Sequence, residues 1–462
     1  MKILYKEIPW IDPFDAFVLL KRDEPSFLLE SLGGDTNTSR YSFIGTSPKI
    51  IIKNKGNKTE IVYTNSAGAI DVDPLRTIRE ILKRKEVISP KNLPPFAGGA
   101  VGYFGYDMVH LFEKLPRQTQ DDLQLPDMVL MIVDIIVAFD HLEKRGWIIV
   151  VSDGDAEIDD GYREWIEEIE RRIRKGLVFQ YPGRSGLKIK IVPNLTRKEY
   201  KDMVRRCKEY ISSGDIFQAN LSQRLSARIK GVDPLSLYRV LRGVNPSPFS
   251  AFIDTGDMQL VSSSPERLVR LYQGLIETRP IAGTRPRGKD QAENELLQKE
   301  LLASEKERAE HIMLVDLERN DIGRVCRYGS IKVDEFMTLE SYSHVTHIVS
   351  NVIGNIEPNQ DAFDLIKAVF PGGTITGVPK IRCMEIIDEL EPTTRGPYTG
   401  SIGYLSYTGD MDLNIIIRTF IIKDGWAHMQ VGAGIVADSD PEREYYETLY
   451  KAEALLKTLE LV

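Results

Sequence analysis

Two stretches near the C-terminal end restrict the fold more than any other feature of this chain. Residues 403–419 read GYLSYTGDMDLNIIIRT, and residues 420–436 read FIIKDGWAHMQVGAGIV. Each is a pair of strand-like runs joined by a tight-turn signal, Gly409-Asp410 in the first and Asp424-Gly425 in the second. A turn that short joins antiparallel neighbours, because a parallel crossover needs a dozen residues or more. The expected class is therefore α+β, with antiparallel hairpins and helices packed outside, rather than a doubly wound parallel sheet.

The 462 residues exceed one ordinary core and fit two to three domains or one large unit. Residues 1–180 hold strand-like runs such as KIIIKN, EIVYT, MVLMIVDIIVAF and WIIVVSD, closed by a helical pattern over 159–175. The Gly/Pro/Ser-rich stretch 178–187 reads as a linker, and 188–462 as the longer unit. In that unit Thr196 and Glu199 have capping-box spacing, and Gly214 is placed to end the helix they start. Residues 217–229 alternate like a strand. A charge-laced pattern over 291–319 predicts one long helix, and 441–459 predicts another with Pro441 in its first turn.

Composition narrows the partners. Apolar residues make up 42% and charged residues 28%, the balance of a globular enzyme. A net charge of −8 argues against a nucleic-acid partner. An anionic substrate would need local positive charge instead. The three cysteines, Cys207, Cys326 and Cys383, are widely spaced, which argues against a disulfide framework or a zinc site. None sits in the Gly-flanked elbow of an amidotransferase nucleophile. The N-terminal segment lacks an apolar signal core, and the apolar run 128–139 is short and broken by Asp134. A cytoplasmic chain with no membrane partner is expected.

Several residues could carry chemistry. Glu307 and Glu310 lie three apart on the predicted long helix, and Glu444 and Glu447 repeat the spacing on the last helix, with Lys451 one turn on. Two such pairs could hold Mg²⁺, a hard cation that takes oxygen ligands and keeps waters. Spacing alone fits an ordinary solvated helix face better. In FPGGTITGVPK (370–380), Gly372 and Gly377 begin like a phosphate-binding loop, but Val378 and Pro379 stand where Lys-Ser/Thr should follow. A nucleotide triphosphatase is therefore disfavoured, and the segment reads as a turn feeding a helix at MEIIDELEP. Thr374 and its backbone N–H groups could still bind a carboxylate there. Arg418 ends the apolar strand LNIIIRT, where a structural ion pair competes with carboxylate recognition. Gly432 and Gly434 mark close backbone approach in a strand. His347 and His344 are three apart, so at most one would face a given site.

Taken together these segments resemble the chorismate-utilising family, which includes component I of anthranilate synthase, component I of aminodeoxychorismate synthase, and the isochorismate and salicylate synthases. The matching text includes ETRPIAGTRPRG (277–288), SEKERAEHIMLVDLERNDIGRV (304–325), FPGGTITGVPKIRCMEIIDELEP (370–392) and VGAGIVADSDPEREYYETLYKAEAL (431–455). Upstream, FLLES (27–31), RYSFIG (40–45) and GGAVGYFGYD (98–107) match the family's N-terminal region. The resemblance implies large antiparallel sheets forming a sandwich, with the active site in a cleft. It implies Glu310 and Glu447 as Mg²⁺ ligands, with Glu307 and Glu444 beside them. Tyr398 and Arg418, with backbone N–H near Gly432, would bind the enolpyruvyl carboxylate. Thr374 and Lys451 would line the pocket, His347 would sit near the C4 hydroxyl, and Glu266 would act as general acid.

The same resemblance bears on the reaction. Water-using members carry a lysine where this chain has Gln218, a poor base, which implies ammonia as nucleophile. Many aminodeoxychorismate synthases carry a lysine at the position of Ala282, whereas the alanine of this chain resembles anthranilate synthases. FPGGTITG and DMDLNIIIRT nonetheless resemble aminodeoxychorismate synthases. Glu30 and Ser31 match the family's tryptophan pocket, whereas Pro248, Phe249 and Ser250 lack its Tyr-Met pair. The expected product is 4-amino-4-deoxychorismate, with anthranilate as the alternative. A separate glutaminase subunit is expected to supply ammonia. A non-catalytic chorismate- or tryptophan-binding regulator would have lost the acid and metal residues, and all are present.

Overall fold

In the computed structural model the described residues are 1–462 apart from 23–24, 34–38, 64–65, 71–72, 153, 155, 177–188 and 342–344. The expected linker at 178–187 and His344 lie outside them.

Two 12-stranded sheets organise the chain, and their ladders are antiparallel. The first sheet runs from Lys2–Ile8 through Arg145–Ser152, Ile135–Asp140, Tyr41–Thr46 and Ser26–Glu30. It continues with Phe249–Asp254, Gln259–Ser264, Thr419–Lys423, Trp426–Ile435, Gln218–Arg228 and Ile191–Pro193. The second runs from Ile281–Pro286 and Val345–Asn355 through Arg267–Tyr272, Met411–Asn414 and Ser401–Ser406 to Gly99–Phe104, Met128–Val133 and Ile50–Lys55. Early and late parts of the chain thus meet inside both sheets, Glu30 opposite Ser250 in one and Phe104 opposite Ser401 in the other.

Strand alternation explains the nearly unbroken apolar runs. In Arg145–Ser152, Trp147 and Ile149 point into the layer between the sheets, while Ile148 and Val150 point outward. The outward residues meet helices Pro13–Leu20, Ala156–Lys175 and Pro441–Leu461, through Phe14, Phe17, Ile169 and Leu455. Both faces are covered, so both must be apolar. On the second sheet Leu130 and Ile132 face outward against Ile78, Leu365 and Ile366, while Val129 and Met131 face the inner layer. Each fully buried side chain of this size contributes about 1.5–3 kcal/mol by leaving water. The expected α+β sandwich of large antiparallel sheets with outer helices is the observed architecture, and the sheets stay open rather than closing into a barrel.

The run 128–139 is two strands in different sheets, with the chain changing layers at Asp134. Asp134 is buried and satisfied by Lys85 Nζ at 2.7 Å, Lys49 Nζ at 2.9 Å and the Tyr407 hydroxyl at 2.7 Å. Three further changes of layer join consecutive strands without an intervening helix, the first over residues 47–49, between Tyr41–Thr46 and Ile50–Lys55. Pro265-Glu266 joins Gln259–Ser264 of the first sheet to Arg267–Tyr272 of the second. Residues 415–418 lead back from Met411–Asn414 to Thr419–Lys423. The expected strand LNIIIRT therefore stops at Asn414, and Arg418 sits in the crossover with φ +50°.

Local turns and caps follow the expected pattern, with changes in helix bounds. Asp424 (φ +51°) and Gly425 (φ +76°) form the two-residue turn between Lys423 and Trp426, the geometry Asp-Gly favours. The Thr196–Glu199 capping box opens helix Arg197–Ser212, and Gly214 (φ +82°) follows its end. The single helix expected over 291–319 is two, Gln291–Ala303 and Glu305–Gly323. Ser304 breaks it by leaving helical geometry and accepting the Glu307 N–H as N-cap. The helix after FPGGTITGVP begins at Lys380, earlier than MEIIDELEP suggested. Among the described residues no helix is long and apolar enough to cross a membrane.

Candidate active site

The floor of the site is the strand pair Gln218–Arg228 and Trp426–Ile435. Asn220 lies opposite Gly434, and Ser222 opposite Gly432. With a period of two, Gln218 and Asn220 share one face with the two glycines. Glycine is required there. A Cβ on Gly434 would lie 2.6 Å from Gln218 Nε2, and one on Gly432 would lie 2.5 Å from Asn220 Oδ1 and 2.8 Å from the Tyr398 hydroxyl. Lys451, from the last helix, donates to the Gly432 carbonyl at 3.1 Å and pairs with Glu447 at 2.9 Å.

The glutamates come from two helices. Glu305–Gly323 packs against strands Ile281–Pro286 and Val345–Asn355, and carries Glu307 and Glu310. Gln218 Nε2 donates to Glu310 Oε1 at 3.1 Å, and Arg285 pairs with Glu307 at 3.2 Å. Burial pushes Glu310 above the usual carboxylate range, and the charges of Glu307 and Glu447 push it further. Glu444 is raised in the same way, first by burial and then by Glu447, and its Oε2 has no hydrogen-bond partner among the described residues. Among those residues no three or more His, Cys, Asp or Glu side chains close around a single point. Glu307 and Glu447 are ion-paired with Arg285 and Lys451, whereas Glu310 and Glu444 form no ion pair among the described residues. An all-oxygen set of this kind fits Mg²⁺ held by one or two carboxylates with its other positions left to water and substrate.

The candidate acid lies at a crossover. Glu266 is buried, accepts the Thr374 hydroxyl at Oε1 across 2.9 Å and takes the Ile281 N–H. Burial raises its pKa to about 7, against the pull of Thr374, Ile281, Lys451 and Arg418. A carboxyl poised there can be protonated and still give its proton away near neutral pH. His347 is also buried, and burial, with the Arg418 charge, drives its pKa down to about 4. It is a neutral imidazole at pH 7. Arg418 lies close enough for both groups to feel its charge. Ala282 is buried on strand Ile281–Pro286 opposite Ile348, next to the residue whose N–H reaches Glu266.

The structure thus gathers Gln218, Glu310, Gly432, Tyr398, Lys451 and Glu447 around one strand pair, and Glu266, Thr374, His347 and Arg418 beside the crossovers. The resemblance of 370–380 to a phosphate loop ends here. The Thr374 hydroxyl goes to Glu266, and Lys380 is held by Asp321 and the Val369 carbonyl. Sequence reasoning missed Asn220, whose Oδ1 is buried without a hydrogen bond among the described residues. Its position two residues after Gln218 was the available signal. It also missed Arg285, whose pairing with Glu307 depends on a tertiary contact that no local pattern announces.

The five residues of the expected tryptophan pocket gather elsewhere. Glu30, Ser31, Pro248, Phe249 and Ser250 all line a cavity of ≈ 710 Å³ between the sheets. Neither the candidate acid nor the glutamates of the two helices line that cavity. Glu30 has its carboxylate occupied, by Arg242 at 2.6 Å and the Tyr238 hydroxyl at 2.7 Å.

The profile of the family described as chorismate binding enzyme matches residues 24–457. The chain is 45% identical to anthranilate synthase component 1 of Acetivibrio thermocellus, over 97% of this chain and 92% of that one. It is 43% identical to aminodeoxychorismate synthase component 1 of Bacillus subtilis, over 100% and 96%. The crystal structure of anthranilate synthase component I from Streptococcus pneumoniae superposes with a TM-score of 0.81 at 37% identity, covering 90% of this chain and 91% of that one. The chain belongs to the chorismate binding enzyme family. It is a chorismate-utilising enzyme.

Proposed function

We propose that this chain aminates chorismate with ammonia, and that the product is 4-amino-4-deoxychorismate. The observation that carries amination is the bond from Gln218 Nε2 to Glu310 Oε1, 3.1 Å. A water nucleophile needs a base. The amide at this position is neutral and already donates to a carboxylate, whereas ammonia is nucleophilic without one.

The substrate is a dianion entering an acidic protein. Arg418 and Lys451 supply fixed positive charge, and Tyr398, Asn220 and the Gly432 backbone line the floor. Mg²⁺ held at Glu310 and Glu447, with Glu307 and Glu444 beside them, would neutralise the ring carboxylate and stabilise charge developing there. Glu266 holds a proton for the departing group, and Thr374 orients it. Neutral His347 takes or gives a hydrogen bond near the C4 hydroxyl rather than adding a charge.

Nitrogen would come from a separate glutaminase subunit. Cys207, Cys326 and Cys383 are buried, and burial raises all three thiols, so none has the character of an amidotransferase nucleophile. Two relatives are themselves named as a component 1.

A second reading, anthranilate formation, is favoured by Ala282, because no lysine stands there to add to the ring. The first reading is supported by FPGGTITG and DMDLNIIIRT and by Phe249-Ser250 in the inter-sheet cavity. Product identification decides between them. The chain is incubated with chorismate, Mg²⁺ and ammonium at alkaline pH. Conversion of the product to 4-aminobenzoate by added lyase supports the first reading, and direct fluorescent anthranilate replaces it with the second.

A further inference from the structure

Arg395 has no part in the chemistry above, yet its guanidinium is spent entirely on the segments that carry it. A guanidinium has five N–H donors. Nε and Nη2 donate to Glu391 at 3.0 and 2.7 Å, and Nη2 also to the Asn220 carbonyl at 2.6 Å. Nη1 donates to the Ile375 carbonyl at 3.0 Å and to Thr399 Oγ1 at 3.2 Å. Its Cζ lies 5.6 Å from the Tyr398 ring centre and 4.8 Å from that of Tyr106. Glu391 in turn accepts the Ser222 N–H and hydroxyl, each at 2.8 Å. Arg395 and Glu391 are both buried.

Three of these partners belong to or adjoin the site. Ile375 follows Thr374, Asn220 is two residues from Gln218, and Thr399 follows Tyr398. Asp107 steadies the same loop by accepting the Gly396 N–H at 2.7 Å. We infer that Arg395, clamped by Glu391, is a positioning residue that fixes the Thr374 turn, the Gln218 strand and the Tyr398 ring relative to one another. The rigid planar fork makes this possible, because a lysine ammonium has three donors on a flexible stem and cannot serve the same acceptors at once. The inference rests on the assignment of Glu266, Thr374 and Tyr398 above.

The test uses Arg395→Lys in the full chain, with chorismate, Mg²⁺ and ammonium at constant free ammonia. Thr374→Val and Tyr398→Phe are run beside it. Displacing the Thr374 turn weakens a bond that favours the Glu266 carboxylate, so the alkaline limb of kcat/KM should move to higher pH, in the same direction as in Thr374→Val. KM for chorismate should rise, with kcat/KM down about tenfold or more. A lowered Tm with KM and the limb unchanged would reduce Arg395 to a structural role and overturn the inference. If Arg395→Lys does not fold, Glu391→Gln, which keeps an oxygen acceptor, should give the same shift to a smaller extent. No shift in that variant is equally fatal. If Thr374→Val moves the limb and Arg395→Lys does not, only the inference fails. If Thr374→Val leaves it in place, the assignment of Glu266 fails, and the inference with it.

Discussion

Ile415 donates its backbone N–H to the Glu266 carbonyl across 3.0 Å, binding the two sheet crossovers side by side. Ser263 N–H reaches the Arg418 carbonyl in the same way at 3.2 Å. The candidate acid and the candidate substrate-binding cation are therefore set by one piece of backbone.

The first prediction concerns pH. Glu266 sits at about 7 because it is buried. Acting as an acid, it must be protonated, so kcat/KM at constant free ammonia should be level below about pH 7 and fall above it. Glu266→Gln should lower kcat by about 10²-fold or more and flatten that limb. A wild-type limb that survives in Glu266→Gln belongs to another group.

Glu310→Gln and Glu447→Gln should each remove most activity. The Glu310 pKa is raised in the fold, so its contribution to stability is full below the unfolded value and is lost as pH rises through the folded one. A neutral side chain escapes that loss, and Tm of Glu310→Gln at pH 8 should equal or exceed wild type. Titrating Mg²⁺ should raise the wild-type Tm and not that of Glu310→Gln, which separates binding from turnover. Near-normal rates in both variants would remove the metal assignment.

Gly432→Ala should fold and lose activity. The new Cβ would stand 2.5 Å from Asn220 Oδ1 and 2.8 Å from the Tyr398 hydroxyl, so the strand or the ring must shift. The strain should cost about 1–3 kcal/mol in stability. Binding of chorismate, measured by calorimetry, should weaken. Gly243→Ala serves as comparison, since nothing lies within 4 Å of a Cβ there and its backbone is helical. An equal loss in the two variants would mean the cradle is unimportant.

Tryptophan at millimolar concentration should leave the rate unchanged. The Glu30 carboxylate that could meet its ammonium is already held by Arg242 and Tyr238. Arg242 and Glu30 are both largely buried, and exposing one charge without the other is costly. Inhibition competitive with chorismate would count against this and for anthranilate as product.

Much of this was legible in the chain. Hairpins such as Lys423–Trp426 announce themselves because Asp-Gly supplies the two positive φ angles the turn needs. The motif segments pointed to Glu266, Glu310 and Arg418 before any geometry. What failed did so for tertiary reasons. The 128–139 and LNIIIRT runs look continuous because strands covered on both faces stay apolar through a change of layer, and nothing local marks where it occurs. The helix break at Ser304 is the exception, since Ser304 and Glu307 have the same N-cap spacing as Thr196 and Glu199, and that signal is local. Arg285 and Arg395 act through partners 22 and 175 residues away, beyond the reach of periodicity.

The crossovers work as a seam. A chain stitched through both layers at Asp134, Glu266 and Arg418 cannot let one sheet slide on the other without tearing the stitches. The acid and the cation are sewn into the frame. The glutamates and Lys451 stand outside that seam, on helices packed against the sheets.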